Sequence, residues 1–89
     1  MGNEHKEEKI KQILNVMDMM LSDVAMPKNI KTAVETARTK LREPGDPDVR
    51  AGGAIYCLNE VSEDINLSAH ARTQIWSILS ALETVKENQ

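Results

Sequence analysis

Apolar residues return at three- and four-residue intervals in four separate stretches of the chain. Ile10, Ile13, Leu14, Met17, Met20, Leu21 and Val24 form the first stripe and predict a helix over residues 4–23. Ile30, Ala33, Val34, Ala37 and Leu41 form the second, over 27–42. Ala51, Ala54, Ile55, Leu58, Val61 and Ile65 form the third, over 47–63. Ala71, Ile75, Ile78, Leu79, Leu82 and Val85 form the fourth, over 68–86. No stretch alternates with a period of two, so no sheet is expected.

The boundaries between stripes carry the residues that stop and start helices. Asn3 suits an N-cap, and Glu7 stands four residues before Lys11 in the favourable order for an ion pair along the helix. Pro27 disfavours helix at Met26 and suits the first turn of the next one. Glu43-Pro44-Gly45-Asp46-Pro47 is the strongest break: Pro44 stops, Gly45 turns, Asp46 caps and Pro47 restarts. Gly52 and Gly53 then fall inside the third helix, each at about 1 kcal/mol relative to alanine, which predicts a close approach by a neighbouring backbone. The tail Lys86-Glu87-Asn88-Gln89 is expected to fray.

A shift of 41 positions lays the first half on the second without gaps. Met17 falls on Leu58, Met26 on Leu67, Val34 on Ile75 and Leu41 on Leu82, with Asp23 on Asp64 and Thr32 on Thr73 as identities. All three links are short, which places consecutive helices side by side and antiparallel. The expectation is an all-α protein, an antiparallel up-and-down four-helix bundle made of two pseudo-repeated helical hairpins, forming one domain over residues 1–89.

Three segments carry a resemblance beyond pattern. Met-Pro-Lys-Asn-Ile-Lys-Thr-Ala at 26–33, Asp-Val-Arg at 48–50 and His-Ala-Arg-Thr-Gln-Ile-Trp at 70–76 resemble the archaeal uncharacterised protein family 0147. The similarity runs from the first helix almost to the end, and the last segment is its most specific part. The resemblance implies a small all-helical protein in an archaeal cytoplasm, and it brings no catalytic residue with it. The sequence departs from the family pattern at Ser68, where proline is usual; serine starts a helix equally well.

Composition narrows the function classes. The net charge is −3, which gives no general attraction to nucleic acid or acidic membranes. One Trp, one Tyr and no Phe leave little for stacking bases. The single Cys57 has no partner for an intramolecular disulfide and suits a reducing, cytoplasmic setting; it reads as a small apolar filler. No apolar run is long enough to cross a membrane. His70, near the start of the fourth helix, is the one histidine inside an ordered segment, with Asp64 and Glu63 across the turn as potential partners, but no nucleophile is placed beside it. Glu60, Glu63 and Asp64 form an acidic cluster without zinc spacing or an inward Glu-x-x-His motif. Neither an enzyme, nor a metal or cofactor, nor a small-molecule substrate is expected.

Two surfaces remain. Met19, Tyr56 and Trp76 are apolar residues that fall off the inward stripes, with Gly52 and Gly53 beside Tyr56 and Arg72 beside Trp76. Tyr, Trp, Arg and Met are enriched at interfaces, so these six residues predict a protein–protein contact or a homodimer. The alternative is nucleic-acid binding, RNA in particular, along the basic face of the second helix through Lys28, Lys31, Arg38 and Arg42, with Lys40 nearby and Glu35 interrupting.

Overall fold

A computed structural model describes the backbone of residues 2–87 and the side chains of residues 4–86. Four helices follow in order: α1 (Gly2–Ser22), α2 (Lys28–Arg42), α3 (Pro47–Ser62) and α4 (Ala69–Glu87). The described residues contain no strand. Helix α1 already runs through Asn3, so that residue lies inside the helix and is not its cap. Pro27 sits just outside α2 and accepts the first helical bond from the Lys31 amide through its carbonyl, 3.0 Å. Ser68 does the same for α4 and adds a side-chain cap, its hydroxyl accepting from the Ala71 amide.

The α2–α3 link forms as its residue types require. Gly45 takes a φ of 127°, a backbone region closed to most side chains. Asp46 accepts from the Asp48 amide at 2.9 Å, and Pro47 opens α3. Antiparallel packing follows. Helix α3 packs against α2 and α4, α1 closes the ring against the same two, and α1 meets α3 across the diagonal. The body measures 40 × 21 × 16 Å.

One apolar core fills the ring, with Ile10, Met17, Met20, Ile30, Leu41, Leu58, Ile75 and Leu82 among its fully buried side chains. The pairs related by the 41-residue shift are buried together: Ile13 with Ala54, Met17 with Leu58, Met26 with Leu67, Val34 with Ile75 and Leu41 with Leu82. Leu14, Leu21, Val61 and Cys57 are half-buried against this core.

The repeat is clearest in the two turns at one end of the bundle. The Asp23 and Asp64 amides donate to Met20 and Val61 carbonyls, and the Met26 and Leu67 amides donate back to the Asp23 and Asp64 carbonyls, all at 3.1 Å. Each aspartate Oδ1 then accepts from the amide two residues on, Ala25 or Asn66, both at 2.9 Å. The two turns are joined by Asn29, whose Nδ2 donates to Asp64 Oδ2 at 3.0 Å.

These turns correct two sequence assignments. Val24 and Ile65 continue the helical stripes by spacing, yet they are 95% and 89% exposed. The helices end at Ser22 and Ser62, so the three-and-four rule has no helix to act on beyond them. Each residue occupies the tip of an aspartate-anchored turn, pointing away from the bundle, and the chain returns to the core at Met26 and Leu67.

The glycines need a second correction. No neighbouring backbone approaches them. The position a Cβ would take on Gly52 has nothing within 4 Å, and that on Gly53 meets only the aliphatic stem of Lys40, from 3.5 Å. Gly52→Ala should therefore stabilise the fold by about 0.5–1 kcal/mol, because alanine fits the space and removes unfolded-state freedom. A urea titration followed by circular dichroism checks this; a loss of stability would place a hidden contact at that site.

Candidate protein-interaction surface

At the end of the bundle opposite the paired turns, side chains lock α1 onto α2 and α3. Arg50, one turn into α3, donates through both Nε (2.9 Å) and Nη2 to the Leu41 carbonyl, one of the unpaired carbonyls in the last turn of α2. Its Nη1 meets Glu7 Oε2 at 2.6 Å. Lys6, a buried residue, reaches Asp48 Oδ1 at 2.6 Å. Glu7 thus serves α3 and not the expected Lys11. The apolar stripes give no signal for Arg50, because its role depends on where the end of α2 and the start of α1 lie in space. Its only trace in the sequence is its place in the Asp48-Val49-Arg50 segment.

The residues expected to meet a partner fall in three places. Gly52 and Tyr56 stand on the outer face of α3, Tyr56 at 70% exposure. Trp76, on α4, is at about the same distance from the α3–α4 turn and is 53% exposed. Arg72 lies one turn above it and extends Nη2 toward the Asp64 carbonyl, 3.4 Å. These four share the α3–α4 side of the bundle. Gly53 lies beneath Lys40. Met19 projects from α1 at 69% exposure, on the other side of α4 from Trp76.

Between α1 and α4 the packing leaves an open trough of about 260 Å³. Its floor is Ile13, Val16, Ile78 and Ala81, and Lys9, Gln12, Ser77 and Thr84 form its rim. The cause is side-chain size: where α4 faces α1 it offers Ser77, Ala81 and Thr84, too short to fill the gap between two helix axes. Sequence reading missed this trough, because small residues on a helix flank look like ordinary surface until the neighbouring helix is in place.

The middle stretches of α3 and α4 are free of charge. No charged residue occurs from Thr73 to Leu82 on α4, or from Ala51 to Asn59 on α3, in a chain whose overall charged content is 28%. The basic residues of α2 are differently disposed. Arg38 is held by Asp18, Nε to Oδ1 at 2.6 Å, and Lys31 is half-buried, while Lys28 and Arg42 are exposed. The hydroxyls of Thr32, Thr36 and Thr39 donate back to the carbonyls of Lys28, Thr32 and Glu35, so their protons are not turned outward.

His70 is exposed, and the Asp64 carboxylate expected near it is taken by Asn29 and by the Asn66 amide. No described helix is long and apolar enough to cross a membrane.

The geometry defines an all-helical, up-and-down four-helix bundle with Tyr56 and Trp76 exposed on charge-free stretches of α3 and α4. Comparison with known proteins gives the family. The chain belongs to the uncharacterised protein family UPF0147, whose model matches residues 1–85. It is 44% identical over 81 residues to a UPF0147 protein of Methanocaldococcus jannaschii, covering 90% of this chain and 87% of that one. A UPF0147 protein of Aeropyrum pernix is 43% identical over 82 residues, covering 91% and 90%. The crystal structure of the unknown function protein MMP1188 superposes with a TM-score of 0.80 at 40% identity, covering 85% of this chain and 88% of that one.

Proposed function

We propose that this protein is a non-enzymatic, cytoplasmic interaction module that works by joining copies of itself or by docking a helical partner. The observation that carries the reading is the face around α4. Trp76 and Met19 stand exposed on its two sides, and residues 73–82 of the helix carry no charge. Exposed rings beside Arg72 and a charge-free helical stretch match the composition of interface centres, where Trp, Tyr, Met and Arg are enriched and other charges depleted. The absence of any role for Trp76 or Met19 in the core supports it: both are largely outside the buried set.

Size exclusion coupled to light scattering, at two protein and two salt concentrations, tests the reading. The expected result is a species heavier than the 9.9 kDa chain that persists in high salt and is lost in Trp76→Ala with Met19→Ala. A bare monomer that carries nucleic acid, releases it in high salt, and loses it when Lys31 and Arg38 become Glu would replace this reading with the basic face of α2.

A further inference from the structure

The geometry points to a specific partner for this face: a second copy of the same chain, docked so that Trp76 of each copy enters the α1–α4 trough of the other. The inference rests on the interaction reading above and commits it to one occupant and one geometry.

The argument starts from the two flanks of α4. At 100° per residue, Trp76 falls on the flank toward α3, and Ser77, Ala81 and Thr84 fall on the flank toward α1. A projecting ring and a hollow therefore flank the outward side of one helix. Any such pair admits a two-fold axis lying in that face which carries the ring of one copy onto the hollow of the other. The same rotation carries the second ring onto the first hollow. The contact closes at two copies, as an isologous interface must.

Size agrees. A dry apolar cavity of about 150 Å³ accepts benzene. The trough, at about 260 Å³, has room for the larger indole, and its floor of Ile13, Val16, Ile78 and Ala81 is apolar. Its rim offers Gln12, Ser77 and Thr84 near the ring edge, where an indole N–H needs an acceptor.

Charge agrees as well. Each copy carries a net charge of −3, so close like-charge contacts are least where the seam runs along the charge-free stretch from Thr73 to Leu82. Below it, Glu83 lies two turns from Trp76 on the same flank, and Lys9 lies at the lower rim of the trough, beside Thr84. The rotation that seats Trp76 brings Glu83 toward Lys9 of the other copy, so opposite charges meet twice.

Area is sufficient. A stable interface takes roughly 800 Å² from each partner. That is about a seventh of the 5551 Å² accessible surface. The broad side of a body 40 × 21 Å in extent supplies it.

The experiment uses the full chain. Sedimentation equilibrium is run across a hundredfold concentration range, beside the emission of Trp76, the single tryptophan. The expected result is a monomer–dimer equilibrium with a blue shift as the dimer forms. Trp76→Ala and Lys9→Glu should each weaken the dimer at least tenfold, and Lys9→Glu with Glu83→Lys should restore it. Because Trp76 is half-exposed, the alanine variant should keep the wild-type circular dichroism. Ala81→Trp fills the trough while leaving the ring, so it should be monomeric alone and pair with Trp76→Ala when the two are mixed. A wild-type monomer throughout the range overturns the inference, and cross-linking from Trp76 in cells then decides whether a different protein occupies the face. A dimer indifferent to Trp76→Ala, Lys9→Glu and Ala81→Trp also overturns it, while leaving self-association itself standing.

Discussion

Leu58→Ala is expected to lower the free energy of unfolding by about 3–4 kcal/mol. Leu58 is fully buried on α3, which packs against all three other helices. Truncation removes its apolar burial and opens a hollow between helices fixed at both ends by short, hydrogen-bonded links. Such a site cannot collapse to fill the space, so the cavity term adds to the transfer term. An 89-residue domain holds only about 5–13 kcal/mol in total, so the loss is a large fraction of it. At about 4–8 °C per kcal/mol, the melting temperature should fall by more than about 12 °C. Met17, its counterpart under the 41-residue shift, is the control: Met17→Leu keeps the volume and should cost less than about 1.5 kcal/mol. Chemical denaturation of both variants checks the pair. A loss below about 1 kcal/mol for Leu58→Ala would mean that the ring of helices relaxes freely around α3.

Arg50→Ala is expected to cost about 2–3 kcal/mol, although it removes no apolar residue from the core. Two of its donors satisfy the Leu41 carbonyl, and its side chain is 12% exposed. Without it, a carbonyl in the last turn of α2 loses its partner at a place where water has little access. The Glu7 ion pair adds less, because Glu7 is 43% exposed and solvent screens it. Most of the loss should therefore survive in 1 M salt. Arg50→Lys should recover little of it, since one ammonium cannot present two N–H groups to a carbonyl and a third to Glu7. Hydrogen exchange offers a local readout: amides in the last turn of α2 and the first turns of α1 should exchange faster in Arg50→Ala. Unchanged exchange there would show that the end of the bundle is held by core packing alone.

Four helices, their order and their inward faces were legible in the sequence. Amphipathic spacing is a local property, and each stripe needed only its own residues to be read. The Pro44–Pro47 link was legible for the same reason, since φ limits and capping act within a few positions. The repeat was legible as a pattern, and the turns showed it again as matched hydrogen bonds at Asp23 and Asp64. Val24 and Ile65 were misread because spacing alone does not say where a helix stops; the aspartate turns decide that.

What the sequence by itself determined, then, is the set of helices and the side of each that turns inward, because burial of an apolar stripe leaves one choice. Tertiary structure alone decided the rest. It decided that Lys40 covers Gly53 while Gly52 stays open, and that Arg50 closes the end of α2. It also decided that small residues on α4, set against α1, leave a trough on the far flank from Trp76. Each of these depends on which residues of different helices share a level. That register is fixed by how whole helices pack, and no local window of the chain contains it.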